Sequence, residues 1–136
     1  MLMPKRTKWR KQMRGRIRGD ATRGNEVAFG EYGLQSLEPG WIPARVLEAG
    51  RIAAGRNAPE AKLWIRVFPH KSVSKKPAET RQGTGKGDVE YWAAVVKPGT
   101  ILYELDGVTA EVAKRAFNRI AHKLPIKVRM VTRRHG

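Results

Sequence analysis

Apolar residues recur along this chain with two distinct spacings. Alternation marks strands: in Lys62–Pro69, Leu63, Ile65 and Val67 fall on one face and Trp64, Arg66 and Phe68 on the other, so both faces are expected to be partly covered. Glu90–Val96 and Thr100–Leu105 read as two further strands, and Lys97-Pro98-Gly99 between them predicts a tight hairpin. Ile126–Val131 alternates as a last strand, with Lys127 and Arg129 opposite Ile126, Val128 and Met130. Helical spacing governs two other segments. Ile42, Val46, Ala49 and Ala53 predict a helix over Ile42–Arg56, with Pro43 at its first position and Gly55 near its stop. Leu47, Gly50 and Ala54 widen its stripe, while Arg45, Glu48 and Arg51 lie outside it. A second helix is predicted over Thr109–Lys123, capped by Thr109 and with Glu111 at the positive end of the dipole. Val112, Ala113, Ala116, Phe117, Ile120, Ala121 and Leu124 form its stripe, and Lys114, Arg115, Asn118, Arg119 and His122 face outward. Pro125 ends it.

Between the basic N-terminus and the first helix, Val27, Phe29, Tyr32, Leu34 and Leu37 suggest one or two short strands broken at Gly30 and Gly33, and Glu38-Pro39-Gly40 is a turn. The order is then a β-rich segment, helix, strand, long basic loop, strand hairpin, helix, strand. This predicts one α+β domain over residues 25–136, with two helices on one face of a mainly antiparallel sheet. No repeat and no coiled coil is found.

Charge changes the picture. Lys and Arg number 28 against 12 acids in 136 residues, a net charge of +16 and a pI near 11.0, a balance typical of proteins whose partner is a polyanion and extreme for a small enzyme. Residues 1–24 form a separate basic arm: Lys5, Arg6, Lys8, Arg10, Lys11, Arg14, Arg16, Arg18 and Arg23 face a single acid, Asp20. Its bland reading is a disordered, solubilising tail. Against that stand the predominance of Arg, which forks onto phosphate and stacks on bases, and Trp9 among the charges. The arm is therefore expected to fold against RNA. Trp64 and Arg66 suggest RNA on one face of their strand. From Lys114 to the end there are eight Lys and Arg and no acid, which adds Lys123, Lys127 and Arg129 as candidate RNA contacts.

The most unusual stretch is Lys75–Val89, in which Gly83, Gly85 and Gly87 alternate with Thr84 and Lys86, downstream of Lys75, Lys76 and Arg81. Glycine at every second position lets backbone approach another surface closely, and the interleaved cations suggest an anionic one. A Walker A loop is excluded because Gly87, not Ser or Thr, follows Lys86 and a strand comes next; a dinucleotide fingerprint lacks its helix. A solvated hairpin tip is the bland alternative.

Other chemistry is thin. The chain has no cysteine, so disulfides, thiolate metal sites and cysteine catalysis are excluded, and His70, His122 and His135 are too scattered to suggest a metal. No apolar run approaches the ~20 residues of a membrane helix, and the N-terminus lacks the apolar stretch of a secretory signal. A cytosolic or organellar setting is expected, with no cofactor and no homo-oligomer.

With these residues assembled, the chain resembles the bacterial large-subunit ribosomal protein sixteen family, the universal uL-sixteen family, itself similar to archaeal and eukaryotic L-ten-e proteins. The resemblance runs through PKRTKWRKQMRGR, VAFGEYGLQSLEPGWI, WIRVFPHKSVSKKPAETRQGTGKG, VEYWAAVVKPGTILYEL and HKLPIKVRMVTR, in the family's order. It implies an α/β-hammerhead type of fold and a non-catalytic constituent of the large subunit bound to 23S rRNA, among neighbouring ribosomal proteins. It implies that the loop within 70–89, carrying Lys75, Lys76, Arg81, Gly83, Gly85, Lys86 and Gly87, faces A-site tRNA near the peptidyl-transferase centre. P-site tRNA and 5S rRNA are further candidate contacts. Arg81 matches an arginine that some bacteria hydroxylate, which makes it a candidate modification site. Departures are His70 and Ser72 in Phe68-Pro69-His70-Lys71-Ser72, Gln82 and Thr84 in the glycine loop, and the missing basic cluster at Gly55–Ala61 apart from Arg56. Fewer phosphate contacts are expected at that helix end. The rival readings are a free architectural nucleic-acid binder or RNA chaperone, which the long internal loop argues against, and an RNA-modifying enzyme, for which no carboxylate pair or nucleophile–base set is found.

Overall fold

The computed structural model describes residues 19–21, 24–74 and 89–133. The elements are β1 (Tyr32–Ser36), β2 (Gly40–Pro43), α1 (Ala44–Asn57), β3 (Lys62–Ile65), β4 (Lys71–Ser74), β5 (Val89–Val96), β6 (Ile101–Asp106), α2 (Ala110–Ala121) and β7 (Val128–Thr132). The α+β class holds. The strands form two sheets rather than one, ordered β3-β6-β1-β7 and β2-β5-β4, and every pairing is antiparallel.

The chain crosses between the sheets four times, and three expectations are corrected. Lys97–Gly99 does not close a hairpin, because β5 pairs with β2 and β4 whereas β6 pairs with β1 and β3. The turn's bonds run to β1 instead: Gly99 donates to the Ser36 carbonyl at 2.8 Å, and the Ser36 hydroxyl donates to the Lys97 carbonyl at 2.8 Å. Gly99, at φ +95°, supplies the left-handed residue this corner needs. The expected strand 62–69 is regular only over Lys62–Ile65, and beyond Pro69, which has no N–H to continue a ladder, residues 71–74, expected as loop, form β4 in the second sheet. The first helix starts two residues later than its periodicity suggests. A residue before proline is driven out of the α region, so Ile42 stays extended, pairs with Ala94, and leaves Pro43 as the N-cap.

The second helix follows its pattern more closely. The Thr109 hydroxyl accepts from the Val112 N–H at 3.4 Å, and Ala113, Ala116, Phe117 and Ile120 are buried. In α1 the buried residues centre on Leu47, Gly50 and Ala54, with Val46 only partly covered. The two helices pack against each other and against the same side of the four-stranded sheet. Strand β6 lies in the middle, and every residue from Ile101 to Leu105 is buried.

Candidate nucleic-acid interface

Residues on β6 alternate, so Tyr103 points to the helices and Glu104 to the opposite, outer face of the sheet. A strap, residues 24–31, crosses that outer face. Val27 fills the hollow over Gly33, where an added Cβ would come within 2.6 Å of the Val27 Cγ2. Glu104 anchors the strap. Its Oε1 accepts from the N–H groups of Ala28 at 3.0 Å, Phe29 at 2.8 Å and Gly30 at 2.8 Å, and its Oε2 pairs with the Arg66 guanidinium. Burial pushes this carboxyl up, but the Gly30 and Phe29 N–H groups and the Arg66 guanidinium outweigh it and hold the group below its ordinary value of 4.5. Arg66 also donates to the Glu26 carbonyl at 3.2 Å, and its guanidinium carbon lies 5.0 Å from the centre of the Phe29 ring.

This changes the reading of Trp64 and Arg66. They do share one face, as alternation predicts, but that face is covered by the strap. Phe29 stacks on Trp64 at 6.1 Å between ring centres, and Arg66 is largely buried in its ion pair. Sequence reasoning missed Glu104 altogether. Its only signal is an acid in the middle of the apolar run Ile101–Leu105.

The strap runs back to the root of the basic arm, which is tied to the 97–101 corner. Ala21 donates to the Pro98 carbonyl at 2.9 Å, and Ile101 donates to the Gly24 carbonyl at 2.8 Å. Gln35 links this root to the last strand: its Nε2 donates to the Gly99 carbonyl at 2.9 Å and its Oε1 accepts from Arg129 Nε at 3.1 Å. An open cavity of about 560 Å³ at this junction is lined by Asp20, Ala21, Asn25, Gln35, Gly99 and Arg129, among others. Exposed Lys127 enters β7 beside it, its N–H donating to the Glu38 carboxylate at 2.9 Å. Lys123, also exposed, stands just past the end of α2, where a cation suits the helix dipole. Lys114, Arg115 and Arg119 are exposed on α2. The arm root, Lys127 and Arg129 therefore lie together, while Trp64 and Arg66 sit on the opposite edge strand.

The glycine-rich loop springs from elsewhere. It connects β4 to β5, and the last pair of that ladder is Ser74 with Val89. The loop thus extends a hairpin of the three-stranded sheet. Its base lies at the Val89 end of β5 and the arm root beyond the Val96 end; the seven steps of ~3.3 Å from Val89 to Val96 separate the two ends by about 23 Å. The arm residues Lys5, Arg6, Lys8, Trp9, Arg10, Lys11, Arg14, Arg16 and Arg18 lie outside the described residues. So do Lys75, Lys76, Arg81, Gly83, Gly85, Lys86 and Gly87 of the loop.

Among the described residues no group of His, Asp or Glu is placed to hold a metal ion, and no helix is long and apolar enough to cross a membrane. Comparison with known proteins matches residues 4–131 to the family model described as ribosomal protein L16p/L10e. The chain is 63% identical over 134 residues to a protein of Rhodopirellula baltica named large ribosomal subunit protein uL16, covering 98% of this chain and 97% of the relative. It is 61% identical over 132 residues to the protein of that name from a Sulfurihydrogenibium species, covering 96% of each. To the protein named uL16c of Thalassiosira pseudonana it is 58% identical over 135 residues, covering 98% of each. With a family model spanning nearly its whole length and relatives of this identity, the chain belongs to the ribosomal protein L16p/L10e family.

Proposed function

We propose that this protein is a structural constituent of the large ribosomal subunit in the cytoplasm that binds 23S rRNA from two ends of one folded body and performs no catalysis of its own. The observation that carries the reading is the opposed placement of the two basic segments. The arm root, with Lys127 and Arg129 beside it, stands at one end of β5, and the glycine-rich loop departs from the other. A body held by rRNA at the first end can present the loop some distance away.

In this reading Lys5, Arg6, Lys8, Arg10, Lys11, Arg14, Arg16 and Arg18 neutralise rRNA phosphates with release of counterions, and Trp9 stacks on a base. Lys123, Lys127 and Arg129 extend that surface. Trp64 and Arg66, expected from the sequence to touch RNA directly, act by holding the strap on the far edge. The loop reaches A-site tRNA at the peptidyl-transferase region, with the P-site tRNA beyond it. Gly83, Gly85 and Gly87 permit close backbone approach while Lys75, Lys76, Arg81 and Lys86 meet phosphate. Neighbouring ribosomal proteins complete the surroundings, and Arg81 is available for hydroxylation.

The test is to reconstitute large subunits with the purified protein, sediment them at moderate salt and locate the chain by cryo-electron microscopy. The reading requires co-sedimentation, with the loop directed at the tRNA path. A free architectural nucleic-acid binder would instead stay in the supernatant.

A further inference from the structure

We propose that Phe29 is a preorganised stacking contact for an unpaired base of RNA, an inference that rests on the rRNA-binding reading above. Phe29 is 56% exposed, the most of any large hydrophobic among the described residues, yet it is firmly held. Its own N–H and those of its two neighbours all donate to the buried Glu104 carboxylate. Trp64 and Arg66, two residues apart on β3 and its continuation, project to one side of the strand, and Phe29 contacts both. Ordering an exposed side chain normally opposes binding; here that ordering precedes the partner. Gly30 makes the arrangement possible, because an added Cβ would stand 2.5 Å from the Leu105 carbonyl oxygen and 3.2 Å from the Trp64 ring.

The chemistry of the partner follows from what surrounds the ring. Next to the ring stand the Trp64 indole and the Arg66 guanidinium, an aromatic surface and a cation of the kind found where bases stack. A nucleobase needs only one flat π face, and every base has one. The chain's charge of +16 favours a polyanionic partner.

The experiment uses the full-length protein and 23S rRNA. Under ultraviolet irradiation the wild-type complex should yield a peptide carrying a nucleotide at Phe29. Binding should be nearly unchanged in Phe29→Tyr and weaker by roughly tenfold in Phe29→Leu. The dependence on salt should be unchanged in both, because neither substitution removes a cation from phosphate. Circular dichroism and a cooperative thermal transition establish that the variants fold. If Phe29→Leu does not fold, the wild-type crosslink decides alone. Wild-type affinity in a folded Phe29→Leu variant would overturn the stacking proposal, as would a crosslink from Phe29 to a protein in assembled subunits. Failure of the wild-type protein to bind rRNA at all would instead remove the underlying reading.

Discussion

The Tyr103 hydroxyl donates to the main-chain carbonyl of Leu47 at 2.7 Å, so the central strand is bonded directly to the first helix through the core. Gly50 lies one turn further along α1 and leaves the space the ring occupies. A Cβ built at Gly50 would stand 2.4 Å from the Tyr103 oxygen and 3.2 Å from Ile120 Cγ2. Gly50→Ala gains about 1 kcal/mol of helix propensity. It overpacks the junction of β6, α1 and α2 at a cost of about 1–3 kcal/mol, so the variant should be less stable in urea. Combining it with Tyr103→Phe should recover part of the loss, because the phenyl ring lacks the atom that collides. Additivity of the two changes would refute the clash.

The same hydroxyl predicts a limit at high pH. Burial, and behind it the negative charge of Glu48, pushes the Tyr103 pKa up. A pKa higher in the folded than in the unfolded state gives stability that is intact below about pH 10 and declines as pH rises beyond it. Stability measured against pH should fall in that range more steeply for the wild type than for Tyr103→Phe.

Glu104 works in the opposite direction. Its carboxyl is held below 4.5 by the strap N–H groups and Arg66, so its stabilising contribution is present above that value and lost as pH falls through the folded-state pKa. Glu104→Gln removes the buried charge and leaves Arg66 unpaired, at a cost of about 3 kcal/mol near neutrality. Chemical denaturation should show this gap at pH 7 and a narrowing of it in acid. A constant gap from neutral to acidic pH would mean that Glu104 does not titrate against the strap.

These residues show where the sequence was readable. The α2 stripe and its Thr109 cap could be read directly, because a long amphipathic helix encodes both its inward face and its start. The division into two sheets could not. Lys97-Pro98-Gly99 is good hairpin chemistry, and nothing local says that its N–H and C=O groups bond to Ser36 instead. Arg66 was legible as a cation on a strand face, yet its partner lies far along the chain at Glu104, a non-local pairing that periodicity cannot reveal. Likewise the basic composition pointed to RNA, while the gathering of the arm root with Arg129 depends on Gln35, a residue with no sequence signal of its own.

The two ends of the molecule should fail in different ways. Replacing Lys127 and Arg129 by Ala removes two cations beside the arm root. Affinity for 23S rRNA should drop, and the slope of log K against log salt should become shallower by about 0.9 for each duplex phosphate no longer neutralised. Replacing Arg81 and Lys86 by Ala in the loop should leave subunit assembly intact, since the arm and the β7 edge keep most of the charge. Peptide synthesis should nonetheless slow, because a hydrogen bond from a charged group to phosphate is worth about 1.5–3 kcal/mol. Gly85→Val should be harsher, as a β-branched side chain blocks close approach and resists positive φ. The base of the loop and the root of the arm stand at opposite ends of β5, about 23 Å apart and well beyond the roughly 7–10 Å within which substitutions usually couple. The effects of the two sets of changes on assembly and on translation should therefore add when combined. The measurement is in-vitro translation with reconstituted large subunits, normalised to assembled particle. Wild-type rates from both loop variants would reduce the loop to a linker between β4 and β5. Strong coupling between the two ends would show that they contact one RNA element rather than two.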